Sequence, residues 1–133
     1  MKKNSQFILI VIILLGLSYF IDACKKSVPS PVFVVTFTNI NLQDGTAGVQ
    51  FYATCTTTDV QMTKVDILDP SRTNTVTYNL KNVTYYKGDV FALQDVGVGY
   101  IKTGGNYQFT FTGTRLADNT GFGTITMLNV AKK

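Results

Sequence analysis

The side chains here best suited to nucleophilic, acid–base or metal chemistry are two cysteines, Cys24 and Cys55, and eight aspartates; histidine, glutamate and tryptophan are absent. Without histidine there is no Ser-His-Asp arrangement, no imidazole base and no His-ligated zinc. A catalytic cysteine wants a base beside it, most often histidine, so Cys55 lacks its usual activator. Cys55 ends the run Val49-Gln50-Phe51-Tyr52-Ala53-Thr54-Cys55, which places it on one strand face with Val49, Phe51 and Ala53 and predicts a buried thiol. A glycosidase needs two carboxylates, and Asp66 with Asp69 is the only suggestive pair; they flank a strand end and a turn, where aspartate serves local hydrogen bonding. Calcium is the metal that Asp44, Asp59, Asp69, Asp89 and Asp118 would suit best, but no D-x-D-x-D spacing organises them. Gly97-Val98-Gly99 runs into Tyr100 rather than into a helix start, so it forms no phosphate loop and reads as a bend or bulge in a strand. The expectation is no catalytic residue, no metal and no cofactor.

Tyrosine offers the remaining ligand chemistry. Tyr85 and Tyr86 are adjacent, so on a strand they face opposite sides, and Tyr52 and Tyr100 are further candidates for exposure. Exposed tyrosines stack on sugar rings or anchor protein interfaces, which makes Tyr85, Tyr86 and Tyr100 the candidate ligand-binding residues. The alternative is a set of tyrosines rimming a small core with their hydroxyls in water. Charge excludes one partner class. The net charge is +4, and the basic residues from Lys64 to Arg115 stand singly rather than in the clustered stripe that nucleic acid selects.

The first residues have their own organisation. Lys2 and Lys3 precede Phe7–Ile21, FILIVIILLGLSYFI, an almost wholly apolar run of 15 residues. A spanning helix needs about 20 such residues and a signal-peptide core about 7–15, so the length favours a leader over an uncleaved anchor. Ile21-Asp22-Ala23-Cys24 then follows. It resembles the lipobox of bacterial lipoproteins, an aliphatic residue, a variable one, a small one and cysteine. Asp22 departs from the pattern, where a small neutral residue is usual, and an ordinary A-x-A cleavage site fits worse because Ile21 stands where a small residue belongs. The resemblance implies cleavage between Ala23 and Cys24, and a diacylglyceryl group on the Cys24 thiol carrying fatty chains such as palmitate. It further implies acylation of the new amino group. Two or more chains anchor stably where one holds only marginally. Cys55 is then the one remaining thiol, and a Cys24–Cys55 bridge would compete with lipidation. Residues 24–31 read as lipidated cysteine and tether, with Pro29 and Pro31 opposing helix. The run KKSVPSPV would reach roughly 25 Å when extended.

Residues 32–133 form the domain, part of the roughly 110 residues left after the leader, which is enough for one core without metal or disulfide. Nineteen threonines and the missing glutamate favour strand over helix. Alternation with short polar breaks predicts strands over Val32–Asn39, Thr46–Cys55, Val60–Leu68, Thr73–Leu80, Val83–Tyr86, Val90–Leu93, Asn106–Arg115 and Gly121–Ala131. Thr103-Gly104-Gly105-Asn106-Tyr107-Gln108-Phe109 puts a tyrosine after a tight turn, two residues before a core aromatic. This resembles the tyrosine corner entering strand F of immunoglobulin-like and fibronectin III-like domains. Phe109 would stand where antibody domains carry a cysteine. The fold class implied is an all-β, immunoglobulin-like β-sandwich of about seven strands; an unrelated Greek-key sandwich or a small barrel is the alternative.

The function these readings support is a membrane-anchored lipoprotein of the bacterial cell envelope carrying a non-enzymatic interaction module. Its expected partners are membrane lipid through Cys24 and an envelope protein. A glycan-binding surface lipoprotein and a purely structural envelope lipoprotein are the rivals. Inner-membrane lipoproteins often carry aspartate after the cysteine and some surface-exported groups an acidic run; Lys25-Lys26 matches neither, which by resemblance favours the outer membrane, periplasmic face. Cys24→Ala is expected to leave an uncut precursor of full-length mobility on immunoblots; a processed, soluble product would contradict the reading.

Overall fold

A computed structural model describes residues 27–132. Ala23 and Cys24, with the rest of the leader, lie outside the described residues. Eight strands are present: β1 (Phe33–Asn41), β2 (Ala47–Cys55), β3 (Val60–Leu68), β4 (Thr75–Tyr85), β5 (Val90–Ala92), β6 (Tyr100–Ile101), β7 (Gly105–Arg115) and β8 (Gly121–Val130). They build two antiparallel sheets. One runs β1-β2-β5 with β6 also on β2, and the other runs β4-β3-β7-β8. The chain crosses between sheets from β2 to β3, from β4 to β5 and from β6 to β7, giving the all-β sandwich expected, with eight strands where about seven were expected.

Period-two alternation supplies the core. Val49, Phe51, Ala53 and Cys55 of β2, Val60, Met62, Val65 and Ile67 of β3, and Tyr107, Phe109 and Phe111 of β7 are all buried. Cys55 is a free, buried thiol packed as a small hydrophobe. Aromatic rings span the gap between sheets. Phe33 stacks on Phe111 with centroids 4.1 Å apart, and Phe51 meets Phe109 edge-on at 5.0 Å.

Two local features adjust the expected strands. Lys81 and Asn82 both have positive φ, at 51° and 61°, and kink the chain without ending it. The two segments expected on either side of them therefore join as one β4. In β3, Met62 pairs Gly113 while Lys64 pairs Thr112, so Thr63 is an extra residue against β7. Gly113 is required there, because a Cβ would meet the Gln61 carbonyl oxygen at 2.3 Å.

The tyrosine corner is formed. Tyr107 is buried, and its hydroxyl accepts a hydrogen bond from the Thr103 N–H at 3.0 Å and donates to the Ile101 carbonyl at 3.3 Å. It thereby closes the connection from β6 to β7 and satisfies two backbone groups beside the core. Tyr107→Phe deletes both bonds and is expected to cost about 1–2 kcal/mol. At about 4 °C or more per kcal/mol, thermal unfolding followed by circular dichroism should show the loss, and an unchanged melting temperature would refute this role for the corner.

Candidate functional site

The two long sides of the sandwich differ. Along one side β1 and β8 are stitched together: Thr124 Oγ1 donates to the Pro31 carbonyl at 3.2 Å and Thr126 Oγ1 to the Phe33 carbonyl at 3.1 Å. Along the other side, β4 pairs only with β3, and β5 and β6 pair only with β2. Among the described residues the outer backbone edges of these strands have no strand partner, and side chains cover the gap between them.

Those side chains are mostly tyrosine and branched aliphatics. From β4 come Val76, Tyr78, Leu80, Val83 and Tyr85, the residues that face the opposite sheet across the seam. Leu80 is buried, whereas Val76 and Val83 are each 46% exposed, because no strand lies over them. Tyr85 crosses the seam and stacks on Phe91 with centroids 4.1 Å apart. Tyr78 crosses it too, its hydroxyl donating to Asp95 Oδ1 at 3.4 Å. Tyr100 packs against Phe51 and donates to the Leu93 carbonyl at 2.5 Å.

The Tyr78–Asp95 contact divides the seam into two grooves. One of about 300 Å³ is lined by Ile67, Val76, Tyr100, Ile101 and Tyr107 among others. The second, of about 240 Å³, lies between Tyr78, Val83, Tyr85, Lys81 and Asp95. A shallower groove of about 510 Å³ lies outside the seam, where Ile40, Leu42 and Gly97–Gly99 meet. Its floor is tight, since a Cβ at Gly99 would strike Ile40. Its polar lining comes from Asn41, Gln43 and Asp44.

The structure separates the three candidate tyrosines. Tyr85 and Tyr100 are half-buried in the seam, and Tyr86 is 62% exposed, beyond the end of β4. Tyr85 and Tyr86 do face opposite ways. Burial raises the Tyr78, Tyr85 and Tyr100 phenols above 10.0, each helped by a neighbouring tyrosine or by Asp95. For Tyr100 burial is the main cause and the value reaches about 12.

Asp44, Asp89 and Asp118 are engaged in their own turns, and Asp59 reaches across to the β4–β5 connection. Asp44 accepts from the Thr46 N–H, Asp89 from the Tyr86 N–H, Asp118 from the Thr120 N–H and from Arg115, and Asp59 from the Lys87 N–H. The Ser71 hydroxyl beside Asp69 holds that carboxyl below the ordinary carboxylate value. Asp66 does not face Asp69 as a catalytic pair: it binds Lys64 at 2.7 Å and accepts from the Thr77 hydroxyl, which hold it below the ordinary value too. Among the described residues no group of three or more Cys or Asp gathers as metal ligands.

Sequence reasoning missed Gln94. It is buried, and its Oε1 accepts the Phe51 N–H at 2.9 Å where β5 has ended, doing with a side chain what a strand carbonyl would do. Residues Asp95–Gly99 can then loop outward, leaving Val96 fully exposed, before β6 rejoins β2. A glutamine between two short strands carries no recognisable signal in one sequence. Compared with protein-family models, with curated proteins and with solved structures, the chain matches none of them.

The buried phenols couple stability to alkaline pH. A phenol whose folded value exceeds its unfolded value contributes stability that is whole below pH 10 and is lost as pH rises toward 12. The melting temperature is therefore expected to fall across that window, and Tyr100→Phe should flatten the fall. Tyrosinate absorbance that rises fully near pH 10, with no loss of stability, would contradict the buried seam.

Proposed function

We propose that the protein is an exported bacterial lipoprotein, held to the envelope by lipid on Cys24, whose sandwich is a non-enzymatic interaction module. The open seam between β4 and β5–β6 is the observation that carries the interaction reading. It joins partly exposed apolar side chains, Val76, Val83 and Ile101, to two backbone edges without strand partners. An extended segment of a partner protein satisfies both at once, with main-chain bonds to an edge and alternate side chains in the two grooves. The kink at Lys81-Asn82 interrupts the β4 edge, so the stretch open to regular pairing is Thr75–Leu80.

Support for the anchor comes from the leader and from Ile21-Asp22-Ala23-Cys24. The Lys25-Lys26 pair favours the outer membrane, periplasmic side. A protein partner is favoured over a glycan because Tyr85 and Tyr100 spend their ring faces on Phe91 and Phe51, leaving Tyr86 as the open ring of the three candidates.

Photo-crosslinkable residues placed in living cells test the seam. Adducts with an envelope protein are expected from positions 83 and 101 and not from position 110, which lies on the outer face of the larger sheet. Equal labelling from all three, or none from the seam, would overturn the assignment.

A further inference from the structure

The segment before β1 is bound to the domain. Arg115 Nη1 donates to the Val28 carbonyl at 2.9 Å while Nη2 holds Asp118 at 2.7 Å. Thr57 Oγ1 donates to the Ser30 carbonyl and accepts from the Val32 N–H, each at 3.0 Å. Thr124 holds the Pro31 carbonyl. The extended tether expected over residues 24–31 is thus held against the domain from Val28 onward.

The end of the sandwich that holds this strap is itself cross-braced. The Gly88 N–H donates to the Cys55 carbonyl, the Leu116 N–H to the Asp59 carbonyl and the Lys87 N–H to Asp59 Oδ1. Three connections, β2–β3, β4–β5 and β7–β8, therefore form one surface. Several apolar side chains are exposed on or beside it: Val32 at 49%, Tyr86 at 62%, Val90 at 68% and Leu116 at 37%.

Chain length decides what this surface meets. Cys24 lies four residues before Val28, which spans at most about 14 Å of extended chain. The 11 residues of β7 make the sandwich roughly 35 Å long. A leash shorter than half the body it holds does not let that body invert. We propose, on the reading that Cys24 carries lipid, that this end seats on the lipid surface with Tyr86 and Leu116 at the lipid–water boundary, and that the β1–β2 and β3–β4 turns point away from the membrane. Tyrosine suits that boundary, with an apolar ring and a polar tip. The aspartates nearby are each held by hydrogen bonds, Asp89 and Asp118 from their own turns and Asp59 from the Lys87 N–H across the surface. The covalent anchor, rather than net charge, supplies the attraction.

The chain contains no tryptophan, so one introduced indole is a clean probe. Full-length chains carrying Tyr86→Trp, or Gln43→Trp in the β1–β2 turn, are to be expressed in bacteria. The membrane-extracted proteins are then reconstituted into phosphatidylcholine–phosphatidylglycerol vesicles containing headgroup spin-labelled lipid. Flotation with the vesicles reads the anchor, and quenching reads the orientation. The expected result is flotation of both, loss of most of the emission from the Tyr86→Trp indole, and unchanged emission from the Gln43→Trp indole. An eight-residue Gly-Ser insertion after Lys26, outside the fold, should lengthen the leash and abolish the difference. Floated protein with equal quenching at both positions, or with none at position 86, overturns the orientation alone. Failure to float overturns the anchor and the orientation together.

Discussion

The two sheets have to be joined through their inward faces, and in this chain aromatic packing performs that task. Antibody domains of this architecture place a disulfide and a tryptophan between the sheets. Here the one described cysteine, Cys55, is a free thiol, and the chain has no tryptophan. Phe33 on Phe111 and Phe51 on Phe109 occupy the centre instead. Burying one such ring stabilises by about 1.5–3 kcal/mol, with about 0.5–1.5 kcal/mol more for each well-oriented pair. Four rings therefore match or exceed the 2–4 kcal/mol typical of one disulfide. The register of β1, β2 and β7 follows from keeping those rings inside, because a one-residue slip would turn them to solvent.

A core built this way closes one side of the sandwich better than the other. Between β1 and β8, threonine hydroxyls reach backbone carbonyls across the gap, and the preceding strap continues the same pattern as far as Val28. Between β4 and β5–β6 the covering groups are Tyr78, Tyr85 and Tyr100: the Tyr85 ring stacks on Phe91, and the Tyr78 and Tyr100 hydroxyls donate to Asp95 and to the Leu93 carbonyl. The division between a fixed side and an open one follows from the threonine and tyrosine positions. It places the seam along the flank of a body whose strap begins at Val28, four residues after Cys24 in the sequence.

Much of the architecture was legible in the sequence. Val49-Gln50-Phe51-Tyr52-Ala53-Thr54-Cys55 alternates cleanly because one face is buried and the other wet, and Tyr107 declared its corner through the glycines before it and Phe109 after it. Lys81-Asn82 misled, since both residue types are common in turns and nothing local distinguishes a kink within a strand from a break between two. Gly97-Val98-Gly99 reads as a bend or bulge in a strand, but it lies in the loop between β5 and β6, and the two-residue β6 beyond it pairs with Gly48 and Val49 across the sheet, a long-range fact. Tyr85 and Tyr86 were bound to face opposite ways, but which one met solvent depended on Phe91. The strap was invisible for the same reason: Arg115 binds a carbonyl 87 residues away, and KKSVPSPV by itself describes only an extended chain.

The central claim is that a lipid on Cys24 holds this sandwich to the envelope, and the most direct test is the intact mass of the protein extracted from bacterial membranes. The account predicts a chain beginning at Cys24 and heavier than its peptide mass by a diacylglyceryl thioether, with or without a third fatty chain on the new amino group. A mass equal to the unmodified chain from Met1, or to a chain cut elsewhere without lipid, would contradict it.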